Sequence, residues 1–328
     1  MRFMPLVVVL LTGPIAAQQL DGSFTLRASD RDDRVNVNLQ YEDGRSNYGR
    51  MVDRLAFSNV TRSGDRITFT LRREPGSFSF EGKGSMERAS GWYDFSPSQT
   101  FRQELERLGF RDIDARDLFV FALDDLSVAR VKQLQQLVSN TLDTDELVQM
   151  INHGAGFKYV QSMTDAGFKK LTSDDYRRAR DHGVSAEFAR EMADLGMKLG
   201  LDELIRSRDH GVSVEYVRAM RSAGFEVGHE ELIRARDHGV STDFLRRMRG
   251  LGYDRLSLDE YVRMRDHGVT PDFVESLRSL GYTSLSANEL VRLRDHGVSA
   301  SYIQRVKDTF KEKPTVEELI RMRSRGRP

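Results

Sequence analysis

The pentapeptide Arg-Asp-His-Gly-Val occurs five times, at Arg180–Val184, Arg208–Val212, Arg236–Val240, Arg265–Val269 and Arg294–Val298. Imidazole, carboxylate and guanidinium groups together invite metal ligation, acid–base chemistry or anion binding. The histidines His182, His210, His238, His267 and His296 are 28, 28, 29 and 29 residues apart. A fixed period of this size is the signature of a stacked repeat array.

That period weighs against a metal. Zinc needs ligand atoms within roughly 3.5 Å of one another, whereas equivalent positions of packed helices lie about 10 Å apart. Adjacent Asp and His on one helix face different directions. A histidine in the last turn suits the helix dipole and the free carbonyls, and glycine is the usual left-handed residue beyond it. The pairs His182-Gly183, His210-Gly211, His238-Gly239, His267-Gly268 and His296-Gly297 are therefore read as helix C-caps. No catalytic, cofactor-binding or metal residue is assigned, and no cofactor is expected.

The arginines Arg180, Arg208, Arg236, Arg265 and Arg294 offer a binding ridge for an acidic peptide, a polysaccharide or a phosphate-bearing surface. Against this, Asp174, Asp202, Glu230, Asp259 and Asn288 lie one turn before the first arginine of each unit. Pairing at i,i+4 would neutralise much of the ridge, and this reading is preferred. His229-Glu230-Glu231-Leu232-Ile233 begins like a zincin motif, but Ile233 stands where the second histidine is required. No phosphate-cradling loop, nucleophile elbow or EF-hand loop is present, and nothing singles out a Ser–His–Asp set. Trp92 beside Tyr93 is an aromatic pair that suits either packing or the mouth of a ligand site.

The elements that carry these residues can be read from periodicity. Residues 96–328 are helical throughout, in eight units beginning near Ser96, Ser127, Gly156, Ser185, Ser213, Ser241, Thr270 and Ser299. In the fourth, Ser185 caps a first helix, and Phe188, Met192 and Leu195 form one apolar stripe. Gly196 and Met197 match the end of a Schellman motif, and a second helix runs from about Leu201 to His210. Helices of about ten residues are marginal alone, so they must stack. Residues 22–95 alternate instead, within a β domain of residues 18–95. Val35, Val37 and Leu39, Ile67, Phe69 and Leu71, and Phe78 and Phe80 mark half-buried strands separated by Gly-rich turns. Five or six antiparallel strands are expected, as a meander, sandwich half or small barrel. The fold class is thus α+β: a small antiparallel β domain followed by an α-solenoid of about eight two-helix repeats of 28–29 residues.

The 328 residues include 50 basic and 50 acidic side chains and no cysteine. Balanced charge argues against a nucleic-acid binder, and the lack of cysteine excludes disulfides and thiolate chemistry. Residues 1–17 read as a signal peptide: Arg2, an apolar run from Leu6 to Leu11, then Ala16-Ala17. No later segment is apolar enough to span a membrane. A bacterial protein, periplasmic or secreted, is expected.

The helical motif Arg-x-Arg-Asp-His-Gly-Val-Ser/Thr follows a segment containing Ser46–Gly49, Phe69–Arg73 and Phe78–Gly82. In this combination the chain resembles bacterial envelope proteins with a β domain and such helical repeats. Similar arrays are also appended to membrane metallopeptidases of the beta-lactam-sensor type, whose peptidase motif is absent here. The resemblance implies architecture and compartment rather than activity. The expected function is a non-enzymatic interaction scaffold with a protein or peptide partner in the envelope. An accessory or sensor component of an envelope signalling system is one alternative. A carbohydrate- or lipid-binding β domain, with the array as spacer, is another.

Overall fold

A computed structural model describes residues 20–30, 33–41, 47–310 and 313–326. The expected signal peptide lies outside the described residues. Seven strands come first: β1 (Leu20–Ala28), β2 (Arg34–Tyr41), β3 (Asn47–Asp53), β4 (Phe57–Ser63), β5 (Arg66–Arg73), β6 (Gly76–Gly84) and β7 (Arg88–Pro97). Sixteen helices follow among the described residues. The first six are α1 (Gln99–Arg107), α2 (Ala115–Leu123), α3 (Val128–Leu137), α4 (Thr144–Asn152), α5 (Phe157–Asp165) and α6 (Ser173–Asp181). Next come α7 (Ala186–Asp194), α8 (Leu201–Asp209), α9 (Val214–Ser222), α10 (His229–Asp237) and α11 (Thr242–Gly250). The chain ends with α12 (Leu258–Asp266), α13 (Pro271–Ser279), α14 (Ala287–Asp295), α15 (Ala300–Phe310) and α16 (Val316–Ser324). The chain divides into two compact units, Met1–Asp181 and His182–Pro328. The sheet therefore shares a unit with α1–α6, although the change of periodicity falls near residue 96.

In the first unit the strand order is β3-β2-β1-β7-β6-β5-β4, antiparallel at every pairing. The two edge strands, β3 and β4, are joined by only Arg54–Ala56. That link reaches about 14 Å at most, whereas the edges of a flat seven-stranded sheet would stand about 29 Å apart. The sheet must therefore curl. Phe24 of β1 and Phe69 of β5 meet at 5.5 Å between ring centroids, although β7 and β6 lie between their strands. The result is a partly open barrel. Inward glycines allow the bend: a Cβ on Gly91 would lie 2.1 Å from the Glu81 carbonyl oxygen, and one on Gly22 2.0 Å from that of Gln40.

The inward residues read from alternation, including Val35, Leu39, Phe69, Phe78, Phe80 and Phe95, form the barrel core. Five or six strands were expected, and seven are found. The alternation misses β3 and β4 because they are edges: β3 buries only Val52 and β4 only Phe57. Helix α2 closes the core. Its fully buried Phe119 lies 5.0 Å from Tyr41, 5.3 Å from Phe78 and 5.4 Å from Phe95.

In the second unit α7, α9, α11, α13 and α15 pack successively on one another, as do α8 and α10, and α12, α14 and α16. First helices thus stack on first helices and second on second, the layering of a solenoid. Ser185, Ser213, Ser241 and Thr270 each cap a first helix by accepting the amide three residues on. The second helices begin after Gly200, Gly228, Ser257, Ser286 and Thr315, where Glu203, Glu231, Glu260, Glu289 and Glu318 reach back to the N-cap amide.

Candidate functional site: the repeated motif

Each residue of Arg-Asp-His-Gly-Val has a separate structural task. In the unit of α8, His210 is the C-cap. Gly211 is left-handed at φ 67 and donates to the Arg208 carbonyl. Val212 donates to the Ser207 carbonyl and is fully buried. This is the Schellman pattern, with its apolar residue just past the glycine. His238, His267 and His296 are C-caps in the same way, and Gly183, Gly239, Gly268 and Gly297 share the left-handed φ.

The histidine rings do not turn back to their own helix. His182 Nδ1 lies 2.6 Å from the Asp209 carboxylate, and His210 Nδ1 2.7 Å from that of Asp237. His238 pairs with Asp266 and His267 with Asp295, each at 2.5 Å. His153 and Asp181 repeat the contact in the first unit at 2.8 Å. The histidine of one motif therefore donates to the aspartate of the next. At His296 the series ends, because Ser324 stands at the aspartate position. These pairs face solvent, where an ion pair contributes about 0–1 kcal/mol. Asp237→Asn is accordingly expected to cost no more than about 1 kcal/mol in a denaturant melt. A loss of several kcal/mol would show that the ladder carries the stack. Among the described residues no three carboxylates and imidazoles converge as a metal site would require.

The arginines of the expected ridge join the two helices of each repeat. Arg208 lies over the Phe188 ring at 4.9 Å, Arg236 over Tyr216 at 4.9 Å, Arg265 over Phe244 at 5.1 Å and Arg294 over Phe273 at 5.1 Å. In the first unit Arg180 lies over Tyr159 at 5.4 Å. Each guanidinium stacks on the stripe aromatic of the first helix in its own repeat, so its planar face is already used.

The expected pairing one turn apart along a helix is found at Arg177, which bonds Asp174 at 2.7 Å, but the later units correct it. Arg206 makes two bonds to Glu230 of the next unit, at 2.6 and 2.9 Å. Arg234 pairs with Asp259, Arg263 bonds Asn288, and Arg292 forks onto Glu317. The distance along one helix is similar, but the long side chain finds the neighbouring helix start, where the dipole also favours the acid.

Residues 207, 229 and 230 form a constellation that sequence reasoning did not single out. Ser207 Oγ lies 2.8 Å from His229 Nε2, and His229 Nδ1 lies 3.7 Å from Glu230. The types and order imitate a nucleophile, base and acid. Hydrogen-bond accounting argues against that role. The Ser207 hydroxyl donates its one proton to the Glu203 carbonyl at 2.9 Å, so His229 Nε2 must be the donor to Oγ. A catalytic base needs that nitrogen bare. Ser207 is also completely buried, beyond reach of a substrate. His229 opens α10 where α8 and α12 begin with leucine, and Ser207 occupies the place of Ala235 and Met264. The two form a buried polar pair within an apolar stack.

In the first unit, Asp124 and Asp125 stand where later repeats have His-Gly. Asp124 caps α2, and Asp125 takes the left-handed conformation at φ 55. Burial pushes the Asp124 carboxyl up to about 6, opposed by Arg50, Lys158 and Arg130 and reinforced by Asp125. A raised value favours the protonated form in the fold. Its contribution is fully present below the unfolded value near 3.9 and is lost as pH rises through about 6. Asp124→Asn should therefore be neutral near pH 3.5 and stabilise by about 1–3 kcal/mol above pH 7. Melts at both pH values would check this, and a difference independent of pH would refute it.

The fold and motif define a sheet domain joined to two-helix repeats whose signature residues serve stacking. Comparisons with known protein families, with curated proteins and with solved structures find no match to the chain.

Proposed function

We propose that the chain is an exported, non-enzymatic scaffold that engages a protein or peptide partner through the exposed surface of its repeats. One observation carries this reading. The chemically capable residues of the motif are already engaged inside the stack: the arginine on the aromatic of its own repeat, the histidine and aspartate with the adjacent repeats. A motif that encodes stacking builds an extended surface whose recognition lies in residues that vary from unit to unit. First-helix positions outside the motif do vary: Glu191, Ala219, Arg247 and Ser276 are equivalent and half-buried, and Asp194, Ser222, Gly250 and Ser279 are equivalent and exposed. Export rests on residues 1–17 of the sequence. No helix among the described residues is long and apolar enough to cross a membrane.

Site-directed crosslinking tests the proposal. Photoreactive residues at positions 187, 215, 243 and 272 should capture the same discrete partner in intact cells. The same residue at position 58 or 62 on β4 should not. Capture from β4 alone would move the interaction to the sheet and overturn the scaffold reading.

A further inference from the structure

The outer face of the barrel carries a side-chain set that the array does not explain. Period two places Ser23, Thr25 and Arg27 outward on β1, and Trp92, Ser90 and Arg88 outward on β7. The register sets Ser23 opposite Trp92, Thr25 opposite Ser90 and Arg27 opposite Arg88. On β2, Asn38 and Asn36 extend the last two rows. Thr25, Arg27, Asn36, Asn38, Lys83, Arg88 and Ser90 line an open cleft of about 710 Å³, and the Ser23–Trp92 row continues the same face beyond it.

Two features mark this cleft as a ligand surface. Like charges directly opposite one another on neighbouring strands are destabilising. The sheet holds one other opposed basic pair, Arg66 opposite Lys83, and there each charge is neutralised; an opposed acidic pair, Asp21 and Asp94, follows the Ser23–Trp92 row. Arg66 bonds Glu81 at 2.5 Å, and Lys83 lies 3.3 Å from Asp65. No ion pair or side-chain hydrogen bond is made by Arg27 or Arg88 among the described residues. Two unneutralised guanidinium forks side by side are complementary to a carboxylate or phosphate held between them. The other feature is Trp92, which is 66% exposed on this same face while its neighbour Tyr93 is buried. The aromatic pair of the sequence is thus split between the two sides of the sheet.

We propose that this face binds an acidic polysaccharide. The flat indole of Trp92 stacks on the apolar face of a sugar ring, a use of its amphipathic surface. Thr25, Asn36, Asn38 and Ser90 bond hydroxyls, and the Arg27–Arg88 pair holds an acidic group. Trp92 and Arg88 are four residues apart on one strand, so stacking and charge recognition are separated by about 13 Å. A single monosaccharide does not bridge that distance, whereas a chain of linked rings does. Charge complementarity selects the acidic glycan over a neutral one. A lipid surface fits less well, because the other exposed large apolar residues of the sheet region, Met51, Leu55 and Val60, belong to β3, the turn after it and β4.

The test is affinity electrophoresis and calorimetry of the full chain with polygalacturonate, with dextran as neutral polymer and with anionic phospholipid vesicles. The expected result is retardation by polygalacturonate alone, weakened at least tenfold in the R27Q/R88Q double variant and in W92A. Both variants alter exposed side chains, and their melting should match that of the parent. R246Q, an exposed charge change on the array, should bind as the parent does. Four outcomes would overturn the proposal: no retardation of the parent, equal retardation by dextran, undiminished binding by both variants, or vesicle binding without polysaccharide binding.

Discussion

Phe119→Ala is expected to destabilise the first unit by about 3–5 kcal/mol, the range for emptying a buried aromatic site. The ring comes from helix α2, yet its neighbours Tyr41, Tyr48, Phe78, Tyr93 and Phe95 all belong to the sheet. Edge-to-face and tilted pairs of this kind add to the transfer term. The barrel is rigid where strands are paired, so collapse around the missing ring will be partial and the loss will lie toward the upper end. Denaturant melts followed by near-ultraviolet dichroism of the tyrosines would measure it. Phe119→Leu should lose far less. A loss below about 1 kcal/mol for the alanine variant would mean that α2 is not part of the barrel core.

Phe244→Ala is expected to cost a similar ~3–5 kcal/mol in the second unit. Phe244 is buried, packs edge-on against Tyr261 at 6.1 Å and carries Arg265 over its face. Truncation removes the ring, leaves a cavity between the two helices of the repeat and strands the guanidinium. Ser241→Ala, three residues earlier, removes only the cap hydroxyl that accepts the Phe244 amide at 3.1 Å, and should cost about 1 kcal/mol. Paired melts of the two variants decide the matter. Equal costs would mean that helix termini, rather than the apolar stripe, hold the array together.

Much of the array could be read directly from the chain because its determinants are local. Period, caps and terminating glycines act within one or two turns, so Ser185, Gly196, Met197 and Gly211 announce the helix ends that are observed. The alternation of Val35, Val37 and Leu39 likewise announced which side of β2 would be buried. Side-chain pairing was not legible to the same degree. A histidine at a C-cap has two candidate partners, its own carbonyls or a carboxylate 27 or 28 residues away. Only stacking brings the second within 3 Å. The same holds for the arginines: Asp202 is near Arg206 in sequence, but Glu230 is the acid its fork meets.

The sheet shows the boundary most sharply. Composition and turns determined that strands would form, but not how many or how they would close. Edge strands bury little, so β3 and β4 carry almost no periodic signal. Closure depends on a three-residue link, on inward glycines at strand crossings and on a plug from α2, features that gain meaning only when distant segments meet. Period two separated Trp92 from Tyr93, yet only the register set Arg27 opposite Arg88 and Ser23 opposite Trp92. Local backbone preference and amphipathic period are properties of a few consecutive residues, and the sequence alone determined them. Partners across strands and repeats depend on which surfaces are pressed together, and that was decided by the tertiary structure.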